Sequence, residues 1–103
     1  RLDRITLVAT SEFGRRLRSN KSNGTDHGHG GVVMVSAPRI KGGIVHGRWP
    51  GLATEQLDNR VDLAVTTDIR AILAELMAGP LATPEAASFV FPGFKPARIG
   101  LLA

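Results

Sequence analysis

A polar, glycine-rich segment at residues 11–31 limits what this chain can fold into. It has no apolar periodicity, so neither an amphipathic helix nor an alternating strand is predicted there. It follows Ile5–Ala9, an unbroken apolar run typical of a central parallel strand buried on both faces. Loops of about twenty residues within a compact domain are usually functional or disordered. The chemistry of the protein is therefore expected in this segment.

Apolar runs farther along the chain predict an α/β fold. Besides Ile5–Ala9, strands are predicted at residues 32–35, 44–46 and, as a strand or extended connector, 61–65. A long helix is predicted to begin after Thr66 or Thr67 and to stop at Gly79. Its apolar stripe consists of Ile69, Ile72, Leu73, Leu76 and Met77.

The carboxy-terminal region carries a second helix signal and most of the aromatic residues. A short helix is predicted after Thr83-Pro84-Glu85, because threonine and an early acid favour a helix start. Three phenylalanines, Phe89, Phe91 and Phe94, are predicted to supply most of the aromatic core.

Composition narrows the function classes. The chain has no cysteine, so a bound metal must be held by histidine and carboxylate groups. Residues 1–48 carry nine Lys/Arg against three Asp/Glu, which makes this part basic. No aromatic residues interleave the basic ones at residues 15–21, so no nucleic-acid partner is expected. No apolar run approaches the roughly 20 residues that span a bilayer.

The sequence GTDHGHGG at residues 24–31 is the strongest candidate metal site. In extended backbone, His27 and His29 point the same way and can approach one ion, while the flanking glycines allow the turn that brings in Asp26. The alternative is a flexible polar loop with solvated histidines. Spacing alone leaves both interpretations open.

Residues near the end of the first predicted strand form a second candidate. Glu12 is a possible further metal ligand or general base, and the alternative is an ion pair with Arg15, Arg16 or Arg18. Arg15 and Arg16 are candidate anion-binding residues, because arginine side chains can clamp a phosphate or sulfate through forked hydrogen bonds, although a charge run is more often a solvated face. His46 is interpreted as structural rather than as a third imidazole ligand, and Trp49 as a core or turn anchor.

Several motifs, in order along nearly the whole chain, resemble one protein family: SEFGR, GTDHGHG, KGG, RWPGL, DLAVTTDIRAILAEL and FPGF. The family is the domain-of-unknown-function family 1501, whose members are exported bacterial proteins with twin-arginine signals. The resemblance implies membership of the alkaline phosphatase and sulfatase superfamily. It also implies that Asp26 and His27 bind a divalent metal (zinc, manganese or calcium) with His29 nearby.

The resemblance implies a fold and a biochemical class. We expect residues 1–103 to form a single domain, the carboxy-terminal portion of a three-layer, mostly parallel α/β sandwich. The start of the sequence at Arg1 contributes to this expectation. The parent protein is expected to be a periplasmic or exported metal-dependent hydrolase of phosphate or sulfate esters. In members of the alkaline phosphatase and sulfatase superfamily, the nucleophile and several metal ligands precede the motifs above. This chain alone is therefore expected to be inactive. The alternative is a non-catalytic exported protein of the same fold.

The isolated chain is also expected to need a partner. A parallel strand requires neighbours and cover on both faces, and one long helix covers only one. Self-association, or contact with a preceding part of the same protein, is therefore predicted. The ligand implied by the resemblance is an anionic small-molecule ester.

Overall fold

A computed structural model describes residues 2–103, which divide into two compact units. The helical unit consists of the chain up to Val8 together with Met34–Gly47 and Thr67–Ala103. The loop unit consists of Ala9–Val33 and Arg48–Thr66. Each unit is thus assembled from segments that are distant in sequence.

The regular elements are short. Four strands, two α-helices and two 3-10 turns occur among residues 2–103. The strands are β1 (Leu7–Ala9), β2 (Gly14–Arg15), β3 (His27–Gly28) and β4 (Met34–Ser36). The helices are α1 (Ile69–Ala78) and α2 (Ala86–Val90), and the 3-10 turns are Leu2–Arg4 and Thr54–Gln56. None of these helices is long and apolar enough to cross a membrane.

The predicted parallel sandwich is wrong. Within residues 2–103, the strands form two antiparallel sheets of two strands each, β1 with β4 and β2 with β3, and no parallel sheet. The physical reason lies in the apolar runs taken for buried strands. Leu7 in β1 is 61% exposed and Met34 in β4 is 64% exposed, so neither strand lies between two covering layers. An alkaline-phosphatase-like sheet is therefore excluded for this chain.

Two other predicted strands are also absent from the described chain. Residues 44–46 form no strand, and Val45 there is 96% exposed. Residues 61–65, predicted as a strand or an extended connector, form no strand and contribute only isolated bridges through Asp62. In both places a short β-branched run lacks a paired neighbour, so apolar composition was a poor guide to sheet formation.

The predicted long helix is confirmed as α1, but its cap and buried face differ from the prediction. Asp68, rather than a threonine, caps the helix and accepts a hydrogen bond from the Arg70 backbone N–H at 2.9 Å. The buried residues of α1 are Ala71, Ala74 and Leu76, whereas Ile69 is 38% exposed. The helix ends at Gly79, as predicted.

The carboxy-terminal segment is tied to α1 by one carboxylate. The Glu75 side chain accepts hydrogen bonds from the backbone N–H groups of Ile99, Gly100 and Leu101, with a distance of 2.8 Å to the Leu101 nitrogen. Leu101 is buried, and its carbonyl accepts the Lys41 N–H at 2.7 Å. Glu75 therefore anchors this terminal segment within the helical unit.

The second predicted helix is confirmed as α2, but the predicted aromatic core is not. Phe89 is 87% exposed. Phe91 and Phe94 contact each other edge to face at a centroid distance of 6.3 Å, and the Arg70 guanidinium lies 3.9 Å from the Phe94 ring centroid. Phe91 and Phe94 are only partly buried, and they contact each other and an arginine instead of filling an interior.

Candidate metal centre

The glycine-rich segment expected to be an irregular loop contains the β2–β3 pair. Gly14 lies opposite Gly28, and Arg15 lies opposite His27. The pairing continues in a hydrogen bond from the Arg16 N–H to the Asp26 carbonyl at 3.0 Å. The segment therefore has a defined register, which fixes where each polar side chain points.

Glycine is required at positions 14 and 28 because other groups approach the backbone closely. A Cβ at Gly14 would overlap the Gly30 carbonyl oxygen. A Cβ at Gly28 would lie 2.8 Å from Asp62 Oδ1 and 2.7 Å from the Arg15 carbonyl carbon. The small residue at position 28 thus leaves the space that the Asp62 carboxylate occupies.

A tight turn at residues 58–62 places two aspartates side by side. The Asp58 N–H donates to the Asp62 carbonyl at 2.8 Å, and the Asp62 N–H donates to the Asp58 carbonyl at 3.0 Å. Such a reciprocal pair puts the two side chains on the same face. Asn59 and Arg60, at positive φ angles of 50° and 64°, close the turn. Like charges directly opposite each other are unfavourable unless a cation accompanies them.

His29 completes this group, which we call the His-Asp-Asp cluster (His29, Asp58 and Asp62). His29 Nδ1 lies 3.1 Å from Asp58 Oδ2 and 3.5 Å from Asp62 Oδ2. One ligand atom from each residue lies within 4.8 Å of the others, and no other group of three or more metal-ligating side chains in residues 2–103 meets that condition. The cluster brings one imidazole and two carboxylates together from separate parts of the loop unit.

Asp62 is the unusual member of the cluster. Its side chain is 6% exposed, and its Oδ1 atom is buried without a hydrogen-bond partner within residues 2–103. The Arg16 Nε atom lies 3.8 Å from Oδ1, beyond hydrogen-bond distance. A buried carboxylate oxygen without a donor is costly, because it has lost its water without gaining an equivalent partner.

The donor chemistry of the cluster fits a divalent metal ion. Zinc accepts imidazole nitrogen together with carboxylate oxygen, and manganese is suited to the carboxylate oxygens. Asp58 and His29 are exposed by 48% and 64%, so the group opens to solvent on one side. Sequence reasoning identified only His29. The Asp-Asn-Arg-Val-Asp run, with turn-forming Asn59 between two acids, was the signal that could have identified Asp58 and Asp62.

The other predicted metal ligands lie elsewhere. The His27 ring stacks on Phe13 with a centroid distance of 3.7 Å. Asp26 Oδ1 accepts a hydrogen bond from Asn20 Nδ2 at 3.1 Å. Glu12 is exposed and forms no ion pair with the neighbouring arginines in the described part of the chain. The structure therefore does not bring these three together with His29, and their metal-binding role stays a prediction.

The two predicted anion-binding arginines have different surroundings. The Arg15 guanidinium lies 5.0 Å from the Phe13 ring centroid, and its Nη1 donates to the Gly14 carbonyl at 3.3 Å. Arg16 lines a pocket of about 160 Å³ together with Arg18, Ser19, Asp26 and Val61. Because Arg16 Nε also lies 3.8 Å from Asp62 Oδ1, Arg16 lies next to both the pocket and the cluster.

Of two other predicted features, Trp49 differs from expectation and His46 agrees with it. Trp49 is 69% exposed and so does not anchor a core. His46 Nε2 lies 3.0 Å from the Lys41 carbonyl, which satisfies one ring nitrogen within the helical unit and fits a structural role.

Comparison with known proteins gives one match. Residues 1–81 match the family described as protein of unknown function (DUF1501). No curated protein and no solved structure matches the chain.

Proposed function

For this chain, which belongs to the DUF1501 family of proteins of unknown function, we propose a role in metal-dependent hydrolysis of phosphate or sulfate esters. In this proposal the His-Asp-Asp cluster holds a divalent cation, zinc or manganese. The chain supplies part of the site rather than all of it.

The buried Asp62 carboxylate is the observation that carries the proposal. It lies directly opposite Asp58, with one oxygen lacking a hydrogen-bond donor among residues 2–103. Truly orphaned buried charges are rare, because the lost hydration costs several kcal/mol unless other charges offset it. Arg16 offsets this charge only partly at 3.8 Å. A divalent ion between the carboxylates would supply the missing positive charge.

The three side chains of the cluster leave coordination positions for a substrate or for a ligand from another part of the protein. Three protein ligands leave a coordination position open in catalytic zinc sites, whereas structural zinc sites use four. When bound, a divalent ion polarises an ester oxygen and stabilises the charge that develops there. Arg16, between the cluster and the adjacent pocket, is positioned to hold the anionic part of an ester.

A metal titration of four versions of the chain tests the cation site. We expect saturable binding of one zinc or manganese ion by the wild-type chain, measured by calorimetry. Asp62→Asn and His29→Ala each remove a ligand and should weaken binding by more than about tenfold. The matched contrast is the double variant Asp26→Ala, His27→Ala, which leaves the cluster intact and should bind as the wild type does.

The outcomes separate the two metal assignments. Loss of binding in the double variant but not in Asp62→Asn would place the ion at the sequence-predicted residues instead. Absence of saturable binding in the wild type would overturn the proposal. Hydrolysis is tested on the longest natural form of the protein with model phosphate and sulfate esters, where turnover abolished by a chelator is expected.

A second candidate function is a non-catalytic one, in which the ion only stabilises the fold. The observation that favours it is that the cluster joins the turn at residues 58–62 to the segment after β3. Under this alternative a chelator lowers the melting temperature, but no ester is hydrolysed. Export from the cytoplasm and self-association stay predictions in either case.

A further inference from the structure

We propose that the pocket beside the His-Asp-Asp cluster binds inorganic phosphate in preference to sulfate. Arg16 and Arg18 supply the positive charge, and Asp26 accepts a hydrogen bond from the proton that phosphate retains. The inference deepens the proposed hydrolase function, on which it rests, because it chooses phosphate over sulfate as the anion of that site.

The two arginines provide donors for a tetrahedral oxyanion. Arg18 Nη2 donates to Thr54 Oγ1 at 2.6 Å, which fixes one corner of the guanidinium at the pocket wall. Arg16 makes no hydrogen bond to Asp62 at its Nε distance of 3.8 Å, so its donors are not consumed by the cluster. A guanidinium has five N–H donors and matches phosphate geometry, and Ser19 also lines the pocket.

Asp26 is the unexpected member of an anion pocket. It lines the same space as Arg16 and Arg18, yet it forms no ion pair with either of them in the described part of the chain. Asn20 Nδ2 donates to Asp26 Oδ1 at 3.1 Å, while Asn20 Oδ1 accepts the N–H groups of Ser22 and Gly24, each at 2.9 Å. The carboxylate is therefore held in place by an ordered turn.

A carboxylate in this position selects for a ligand that carries a proton. An ionised carboxylate only accepts hydrogen bonds, so a ligand oxygen beside it must be a donor. Inorganic phosphate keeps at least one O–H group at neutral pH, whereas sulfate keeps none. Sulfate would place a bare anionic oxygen against Asp26, while phosphate would form a charge-assisted hydrogen bond there.

The selectivity is tested by titrating the 103-residue chain with phosphate and with sulfate in metal-free buffer at constant ionic strength. Chemical shifts of the pocket amides report binding. We expect phosphate to bind about tenfold more tightly than sulfate. This ratio corresponds to the lower end of the free-energy range for one hydrogen bond to a charged group. Asp26→Asn should bring the two affinities close together, because an amide can donate to sulfate.

Matched charge variants show whether the pocket or the general positive charge is responsible. Arg18→Gln should abolish phosphate binding, whereas Lys21→Gln, which removes the same charge from an exposed residue outside the pocket lining, should leave it largely unchanged. Equal affinities for the two anions in the wild type, or an unchanged ratio in Asp26→Asn, would overturn the proposal. Equal losses in Arg18→Gln and Lys21→Gln would also overturn it.

Because the anion titrations contain no metal, failure of the phosphate pocket can be distinguished from failure of the proposed cation site. If phosphate is preferred but no zinc or manganese binds to the wild type, the cation site is wrong and the phosphate pocket stands. If the metal binds and Asp62→Asn abolishes that binding, but phosphate is not preferred, the cation site stands and the pocket assignment is wrong.

Discussion

Two carboxylates, one in each unit, show how differently the chain treats an acid that is removed from water. In the helical unit, Glu75 accepts hydrogen bonds from three backbone N–H groups of residues 99–101. In the loop unit, Asp62 is more deeply buried, yet its Oδ1 receives no hydrogen bond from residues 2–103. The first carboxylate is fully used in holding the fold. The second has unused acceptor capacity, which is what a ligand site requires.

The two units also differ in how many apolar side chains they bury. Four of the five buried apolar residues, Ala71, Ala74, Leu76 and Leu101, belong to the helical unit, and only Leu57 belongs to the loop unit. The helical unit therefore derives its stability from apolar packing and helix capping. The loop unit depends on close backbone contacts at glycines and on polar groups. The predictions below test this contrast, from the largest expected effect to the smallest.

The largest effect is expected at the most buried side chain of the helical unit. Leu76 is 2% exposed, so Leu76→Ala leaves a cavity and should cost about 3 kcal/mol in the free energy of unfolding. Urea denaturation followed by circular dichroism measures it. The control is Leu81→Ala in the same unit, where the side chain is 51% exposed and the cost should be small. Similar costs for both variants would mean that Leu76 is not a core residue.

The next effect concerns the satisfied carboxylate. Glu75→Gln replaces an acceptor of three N–H groups with an amide that presents its own donors, so we expect a loss of about 2 kcal/mol. Glu85→Gln is the matched control, because the Glu85 side chain makes no capping hydrogen bond to α2. An unchanged free energy of unfolding in Glu75→Gln would show that the Glu75 carboxylate does not stabilise the helical unit.

The third prediction concerns the unsatisfied carboxylate. Without metal, Asp62→Asn should change the free energy of unfolding by less than about 1 kcal/mol, because it removes a buried charge that has no hydrogen-bond donor on Oδ1. With saturating zinc, only the wild type should gain stability, since a ligand that binds the folded state stabilises it. Thermal melts with and without metal measure both effects. A loss without metal as large as that of Glu75→Gln would show that Asp62 already has equivalent partners.

The smallest effect is a pH dependence at the helix cap. Hydrogen bonds that the Arg70 guanidinium and, second, the Arg70 backbone N–H donate to the Asp68 carboxylate lower the pKa of Asp68 below its ordinary value of 3.8. A lowered folded-state pKa means that this contribution is complete above pH 3.8 and is lost as the pH falls through the folded-state value. The melting temperatures of the wild type and Asp68→Ala should therefore differ at neutral pH and converge in acid. A difference that persists in strong acid would contradict this assignment.

The sequence predicted local structure better than pairing. The helix signal at residues 66–80 led to α1, because capping and helix stops depend on neighbouring residues. The parallel sheet failed because apolar runs do not show which strand, if any, lies beside them. The prediction that Phe89 lies in the core was wrong for the same reason, because aromatic character does not show that another element covers the ring.

The candidate site divides along the same line. His29 and Arg16 were identifiable because histidines among glycines and arginines after a strand are local patterns. Asp58 and Asp62 were not, because they lie 29 and 33 positions beyond His29 and reach it only through the folded loop unit. The selection of Arg16 over Arg15 likewise depended on which guanidinium faces Asp62 and which lies over Phe13.

By itself, the sequence determined that any metal here must be held by histidine and carboxylates, that residues 11–31 are polar and rich in glycine, and that a helix ends at Gly79. These follow from residue types and short spacings along the chain. Only the tertiary structure decided that His29 meets Asp58 and Asp62, and that Asp62 is buried without a donor on Oδ1. Burial and convergence depend on contacts between distant segments, which short-range residue patterns do not encode.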